Sequence, residues 1–221
     1  MNISIHQDIK KRVPDFKIGI LTYKDIVVDE SPKMLKGRLE FFQEKIQVDL
    51  ENDSVTRYQG VKEWRKVFKT LGIDPGRYRP SHEALFRKVG RKQKMGFINS
   101  AVDLNNFFSL QYEIPFGIYN LDQLQDSIIL RLGNEGESYK GLNGRENSLQ
   151  GRLVSADAQG PFGSPIVDSA RTKVDNTTAN ALHIAYLRPS MASAEANEML
   201  SSLAKMFTQL HSGDAEWFLL E

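Results

Sequence analysis

The chain has 221 residues, of which 40% are hydrophobic and 26% are charged, and its net charge is +1. This is ordinary globular usage, which excludes a disordered, collagen-like or coiled-coil protein, and no apolar stretch is long enough for a membrane helix. The absence of cysteine and of any His-x-x-x-His pair removes disulfide frameworks, thiolate nucleophiles and the usual zinc sites, so we expect no metal, no cofactor, no membrane partner and a cytoplasmic location.

The first half of the chain reads as one extended segment followed by helices. Phe16 to Val28 is rich in β-branched and aromatic residues and predicts a strand or a bent pair of strands. Ser31 and Pro32 are expected to start a helix, with Ser31 as its cap. A second helix is predicted from about Thr56 to Leu71, and Ser81 is expected to cap a third, shorter one.

The second half mixes helices with short strands. Asn99 to Tyr112 predicts a helix that carries an unusual polar seam, in which Asn99, Asp103 and Asn106 share one face. Short strands and turns follow as far as about Ala156, and Ala181 to Leu187 predicts a further strand. A last helix is predicted from about Ser193 to His211. Glu216 to Leu220 are expected either to add a final strand or to dock against the core. The pattern indicates an α+β (mixed α/β) fold.

Positive charge is concentrated in one segment, because Val61 to Lys94 contains 11 basic and three acidic residues. On the second predicted helix the basic positions fall at i, i+3, i+4 and i+7 and so share a face. The candidate polyanion-binding residues are Lys62, Arg65, Lys66, Lys69, Arg77 and Arg79, with Arg87 and Arg91 beyond them. The alternative is a solvated segment balanced by acidic neighbours in space.

Motifs for nucleotide-dependent and serine-hydrolase chemistry are missing. The sequence contains no G-x-x-x-x-G-K-[ST] loop, no G-x-G-x-x-G between a strand and a helix, and no G-x-S-x-G elbow. What remains are three polar clusters: the basic turn from Arg77 to Glu83, the seam on the Asn99 helix, and Asp168 with Arg171. Each could bind a ligand or simply stabilise the fold.

Five ordered blocks carry a family resemblance. They are YRPSHEAL, INSAVDLNNFFSL, PFGIYNLDQL, ILRL with GESYKGL, and RLVSADAQG with DSARTKVDNTTANAL. Together they resemble the B3/B4 module of the phenylalanyl-tRNA synthetase beta chain, and most of all its free-standing relatives, without a catalytic core or anticodon-binding part. The resemblance implies a B3/B4-like body with a β-sandwich-like part packed against helices. It suggests residues 56–190 as the tRNA-binding and editing module, 1–55 as a strand and helix integrated with it, and 191–221 as a C-terminal helix and tail.

The resemblance also implies a site, carried over position by position. The Val-Asp-x-Thr-Asn helix of the family aligns with Val102 to Asn106, so that Asn105 stands in place of a threonine. Gly117 stands where the synthetase has a pocket histidine, and Tyr119 keeps the aromatic position. The editing glutamate is absent from the segment Pro165 to Arg171, where Asp168 is the nearest acidic residue.

Two functions follow from the resemblance, and both stay open. The first is hydrolysis of mischarged aminoacyl-tRNA in trans, with Asp168 orienting water, Arg171 holding Asp168 ionised and Asn106 lining the pocket. Ligand contacts are then expected from Asn99, Asp103, Asn105, Tyr119 and Pro165, and the basic face is expected to meet the acceptor end of tRNA. The second is a noncatalytic module that binds an amino-acid-like metabolite or RNA.

Overall fold

The computed structural model describes residues 2–221 and has a mixed α+β fold, as predicted. The helices are α1 (Gln7–Arg12), α2 (Lys33–Asp49), α3 (Gln59–Leu71), α4 (Ser81–Gly90), α5 (Ser100–Tyr112) and α6 (Ser193–His211). The strands are β1 (Ile3–Ile5), β2 (Ile18–Lys24), β3 (Phe116–Asn120), β4 (Ile128–Leu132), β5 (Ser138–Lys140), β6 (Glu146–Ser148), β7 (Leu153–Asp157), β8 (Gly160–Gly163), β9 (Ala181–Tyr186) and β10 (Asp214–Leu220).

Two four-stranded sheets form the framework. The first has the order β10-β2-β9-β3 with antiparallel neighbours throughout. The second has the order β1-β4-β7-β8, in which β1 runs parallel to β4 and the other pairs are antiparallel. Strands β5 and β6 form a separate two-stranded hairpin.

The helices bury apolar faces against these sheets. Helix α6 lies on the first sheet, where Phe207 stacks on Tyr23 with 3.8 Å between ring centroids. A Cβ atom at Gly19 would overlap the Leu200 side chain, so this glycine lets the helix approach the strand closely. Trp64 and Phe68 of α3 are fully buried. One continuous core therefore draws residues from the beginning, middle and end of the chain.

Two helix starts differ from the prediction for the same reason. Proline occupies the capping position of both α2 (Pro32) and α4 (Pro80), and neither helix has a side-chain cap. Ser31 instead donates its hydroxyl to Asp103 over 2.5 Å, and Ser81 is the first residue of α4. Helix α3 ends at Leu71, as predicted, and Gly72 caps it in a left-handed conformation with φ of 84°.

No helix within residues 2–221 combines the length and the apolar character that crossing a bilayer requires.

Candidate functional site

A chain of polar side chains connects the two sheets. The Tyr119 hydroxyl of β3 donates to Oδ1 of Asp168 over 2.8 Å and lies 3.3 Å from the Tyr186 hydroxyl of β9. Tyr186 in turn lies 2.9 Å from Oγ of Ser155 on β7. Because β3 and β9 belong to the first sheet and β7 to the second, this Asp168 network forms where the sheets meet.

Asp168 is the titratable end of this network. Its side chain is half-buried, and burial raises the pKa of the carboxyl to about 7, although the hydrogen bonds from Tyr119 and from the Ser164 amide pull the pKa downwards. Both bonds go to Oδ1, at 2.8 and 3.2 Å. Within residues 2–221 no hydrogen bond reaches Oδ2. Asp168 therefore offers one carboxyl oxygen to a ligand, with a pKa that suits proton transfer near neutrality.

The expected ion pair between Arg171 and Asp168 is not formed. Arg171 makes a two-pronged bond to Asp157, with distances of 3.1 and 2.9 Å, and also donates to the carbonyl of Gln123. The reason is local geometry, since residues 170–172 form a 3₁₀ turn capped by Ser169 that directs the guanidinium towards the end of β7. Within residues 2–221 Asp168 therefore forms no ion pair, and Arg171 does not hold it ionised as expected.

The Tyr119 ring lies between two glycines. A Cβ atom at Gly117 of β3 or at Gly163 of β8 would overlap the Tyr119 hydroxyl and ring. Tyr119 is fully buried, and its hydroxyl has a raised pKa because burial and the nearby Asp168 both oppose ionisation. Gly117, the position where the resemblance puts a histidine in the synthetase, is thus covered by the tyrosine two residues further along the same strand.

A short loop after β8 presents Asp168. Oγ of Ser164 accepts hydrogen bonds from the amides of Ile166 and Val167 and donates to the Val167 carbonyl, which also receives the Tyr139 hydroxyl. The Pro165 carbonyl accepts from the Ser81 amide over 2.7 Å. These bonds tie the loop to the start of α4, so the basic turn before α4 lies beside the Asp168 network.

The polar seam of α5 is mostly structural. Asn99 caps the helix by accepting from the Val102 amide over 2.9 Å, and it donates to the Val174 carbonyl. Asp103 accepts from Ser31 and from the Ile98 amide, while burial raises its pKa. Asn99 and Asp103 therefore stabilise the junction around α5, and none of their hydrogen bonds leads to Asp168.

Asn105 and Asn106 occupy different environments. Asn105 is buried, and its Oδ1 finds no hydrogen-bond partner within residues 2–221. Asn106 is half-buried and lines a surface cavity of about 310 Å³ together with Leu85, Lys88 and Phe97. Asp168 does not line that cavity, so the structure does not place Asn106 and Asp168 around one pocket.

The predicted basic face divides into free and paired residues. Lys62, Lys66 and Lys69 are exposed on α3, and the first two line a groove of about 590 Å³ together with Arg12. Arg65 and Arg87 instead bind Glu83, whose side chain is completely buried, at 3.0 and 2.8 Å. Arg77, Arg79 and Arg91 are exposed. The surface on which cations are available to a polyanion is therefore smaller than the sequence suggests, because Arg65 and Arg87 are paired with Glu83.

The described residues 2–221 contain no cluster of three or more acidic or histidine side chains that could hold a metal ion.

Sequence reasoning missed Tyr186 and Ser155 of the Asp168 network, and it also missed Arg152. The guanidinium of Arg152 lies 3.7 Å from the Tyr78 ring centroid. Tyr186 and Ser155 could have been found from the sequence, because each is a hydroxyl-bearing residue within an otherwise apolar strand. A buried hydroxyl of this kind needs a hydrogen-bond partner.

The family model and the sequence relatives point to one family. Residues 63–208 match the family model described as "B3/4 domain". "Uncharacterized protein YhzB" of Bacillus subtilis is 34% identical over 214 residues, or 96% of each chain. The phenylalanine–tRNA ligase beta subunit of Fusobacterium nucleatum is 28% identical over 155 residues, which are 68% of this chain and 18% of that subunit. An N-terminal fragment of the phenylalanyl-tRNA synthetase beta subunit from Pyrococcus horikoshii covers the whole chain with a TM-score of 0.47 and 13% identity.

Proposed function

Because the chain belongs to the B3/4 domain family, we propose that it binds the acceptor end of tRNA and hydrolyses the ester of wrongly charged aminoacyl-tRNA. Among its relatives are phenylalanine–tRNA ligase beta subunits, of which it spans less than a fifth of the length in the Fusobacterium case. The proposal therefore concerns a shared module, with water and aminoacyl-tRNA as the reactants.

The observation that carries the proposal is the Asp168 carboxyl. Its Oδ1 is held by Tyr119 and Ser164, while Oδ2 remains available, and its pKa is raised to about 7 by burial. In the proposed step Oδ2 accepts a proton from a water molecule as the water oxygen attacks the ester carbonyl carbon. The bond between that carbon and the ribose oxygen then breaks, and the ribose oxygen takes up the proton. The products are a free amino acid and uncharged tRNA.

An aminoacyl ester is already reactive, so one carboxyl and backbone amides are sufficient for its hydrolysis. An aminoacyl ester needs positioning of water and stabilisation of the developing oxyanion, which backbone amides supply without a metal or a nucleophilic side chain. The loop from Ser164 to Asp168 is braced by its own hydrogen bonds and by the contact between Pro165 and Ser81. A braced loop supports the fixed geometry that such positioning needs.

The groove along α3 supports the choice of RNA as partner. Arg12, Lys62 and Lys66 line it with exposed side chains, opposed by Asp15 and Glu63, and exposed Lys69 follows on the same helix. Exposed cations of this kind bind phosphates and lose affinity as salt rises. We expect Lys62/Lys66/Lys69→Glu to weaken tRNA binding by about 100-fold or more at low salt. A matched triple, Lys33/Lys140/Lys205→Glu, changes the same charge at exposed positions elsewhere and is expected to bind nearly as the wild type does.

The activity is tested with a panel of correctly and wrongly charged tRNAs, in which release of the amino acid is measured. We expect one class of ester to be released above background, at a rate that rises with pH through about 7 because Asp168 must be ionised to accept a proton. Asp168→Asn should abolish release. Asp126→Asn is the control, because Asp126 is exposed and has φ of 59°, a conformation that asparagine accepts. Unchanged release in Asp168→Asn would refute the role of Asp168.

Within residues 2–221 no cation forms an ion pair with Asp168, which also favours a second function, a noncatalytic site for a free amino acid. Its α-ammonium group would pair with Oδ2 in the place that the sequence assigned to Arg171. Two results together would establish this alternative. No tRNA of the panel would be deacylated above background, and one amino acid would raise the melting temperature of the wild type but not of Asp168→Asn.

A further inference from the structure

Two arginines lie on one tyrosine beside the Asp168 loop. The Arg152 guanidinium is 3.7 Å and the Arg77 guanidinium 5.1 Å from the ring centroid of Tyr78. Arg77 is exposed, and Tyr78 and Arg152 are half-buried. We refer to these three residues as the arginine–tyrosine stack. Both distances are within the range of cation–π attraction, so the stack holds two positive charges together against their mutual repulsion.

Two connections place the stack next to Asp168. Tyr78 precedes α4 by three residues, and the first residue of α4, Ser81, donates to the Pro165 carbonyl. Arg152 lies in the chain between Leu149 and Val154, which pack with Tyr139, and the Tyr139 hydroxyl donates to the Val167 carbonyl over 2.5 Å. The stack is therefore linked to the loop that carries Asp168 by two routes, through the start of α4 and through Tyr139.

The stack lacks an acidic partner. Five other arginines, namely Arg65, Arg87, Arg131, Arg171 and Arg188, each bond a carboxylate at 3.0 Å or less. Within residues 2–221, Arg77 and Arg152 form no ion pair and no side-chain hydrogen bond, and Nε of Arg152 is buried without any acceptor. Nε of Arg188 is also buried without an acceptor, but Arg188 has Glu195 as its anionic partner. Arg77 and Arg152 therefore differ from those five arginines in carrying charges that no carboxylate of the described chain neutralises, which leaves them available to an external anion.

We propose that the arginine–tyrosine stack binds a backbone phosphate at the single-stranded 3′ end of RNA. Stacking on Tyr78 fixes the planes of the guanidinium groups. Within residues 2–221 their terminal N–H groups donate to no acceptor, so these groups are left to bind phosphate oxygens, which guanidinium groups match in a bidentate manner. The aromatic and guanidinium surfaces also suit stacking by an unpaired base. This inference rests on the proposed function for its choice of RNA, and it assigns a residue, Arg152, that lies outside the basic segment from Val61 to Lys94.

The experiment measures binding of a CCA trinucleotide that carries no amino acid. The wild type is compared with Arg77→Gln and Arg152→Gln. We expect each variant to weaken binding by about tenfold or more and to reduce the salt dependence by about one phosphate contact. Arg145→Gln removes an exposed arginine in the hairpin and should bind as the wild type does. Arg152→Lys keeps the charge but loses the bidentate edge, so its affinity should fall between those of the wild type and Arg152→Gln. Thermal unfolding of every variant checks that it is folded.

Two further probes separate the sources of phosphate. A CCA trinucleotide with uncharged methylphosphonate linkages should lose the arginine-dependent part of its affinity. If AMP or inorganic phosphate binds as tightly as CCA, the stack is a site for a free phosphate and the RNA assignment is overturned. Unchanged CCA binding in both glutamine variants overturns the site itself. The trinucleotide carries no aminoacyl ester, so its binding does not depend on hydrolysis. Arginine-dependent binding of CCA, together with no release of any amino acid in the deacylation panel, would refute the hydrolase and support the arginine–tyrosine stack.

Discussion

Replacing Tyr119 with phenylalanine tests the Asp168 network directly. The change removes one hydroxyl, which donates to Oδ1 of Asp168 and thereby lowers the pKa of that carboxyl. A hydrogen bond to a charged group contributes about 1.5 to 3 kcal/mol. Because about 1.4 kcal/mol corresponds to a factor of ten in an ionisation equilibrium, we expect the pKa of Asp168 to rise by at least about one unit and its ionised fraction at pH 7 to fall by at least about sevenfold.

The same substitution has a pH signature in stability. Burial already raises the pKa of Asp168 from 3.8 to about 7, so the folded protein binds more protons than the unfolded chain in that window, and this carboxyl makes stability fall as pH rises through it. Tyr119→Phe raises the pKa of Asp168 in the folded protein further, so the pH range over which this carboxyl makes stability fall extends to higher pH. Its free energy of unfolding should therefore be reduced by about 1 kcal/mol more at pH 8 than at pH 5.

Carbon-detected NMR titration of the Asp168 carboxyl measures the pKa, and urea denaturation at the two pH values measures the stability. Tyr139→Phe is the matched control, because the Tyr139 hydroxyl donates to the Val167 carbonyl and not to Asp168. An Asp168 midpoint that stays in place or falls in Tyr119→Phe, or a loss of stability that is equal at both pH values, would refute this account of the network.

Two other predictions concern packing and buried charge. Gly117→Ala should destabilise the protein by about 1 to 3 kcal/mol in urea denaturation, because its Cβ would overlap the buried Tyr119 ring. The control Gly37→Ala lies on the exposed face of α2, where a Cβ meets nothing within 4 Å, and should stabilise the protein by about 0.5 to 1 kcal/mol. Equal effects of the two substitutions would contradict the overlap at Gly117. Glu83→Gln should lower the free energy of unfolding by about 2 to 3 kcal/mol, because it leaves two half-buried guanidinium groups without their buried carboxylate. The exposed control Glu44→Gln should change it by less than about 0.5 kcal/mol. A Glu83→Gln effect as small as that of the control would show that the two ion pairs add little to stability.

The sequence was informative wherever structure depends on local periodicity. Helix α6 runs from Ser193 to His211, as predicted, because its apolar residues recur at helical spacing. The first strand and helix were missed, since β1 has three residues and depends on parallel pairing with Ile128 to Leu130, more than 100 residues away. Nothing in the polar segment Gln7–Arg12 indicates a buried face beyond Ile9.

The site was less predictable because it is assembled from distant strands. Tyr119 and Asp168 are 49 positions apart and meet only through the packing of the two sheets. Arg171, by contrast, is three positions from Asp168, yet it binds Asp157 because a 3₁₀ turn redirects it. Proximity in sequence suggested the wrong partner for this arginine, and only the tertiary fold distinguishes the two carboxylates.

The position of β2 in the first sheet bears on how the protein is made. Its two neighbours are β9 and β10, whose residues Ala181 and Ala215 both pair with Tyr23. During synthesis β2 leaves the ribosome roughly 160 residues before either partner, so this sheet cannot close until translation is almost finished. The apolar β2 segment, buried from Ile18 to Leu21 in the native fold, must stay unpaired throughout that interval. We expect nascent chains stalled before β9 to depend on chaperones and to be more sensitive to proteases than chains that include β10.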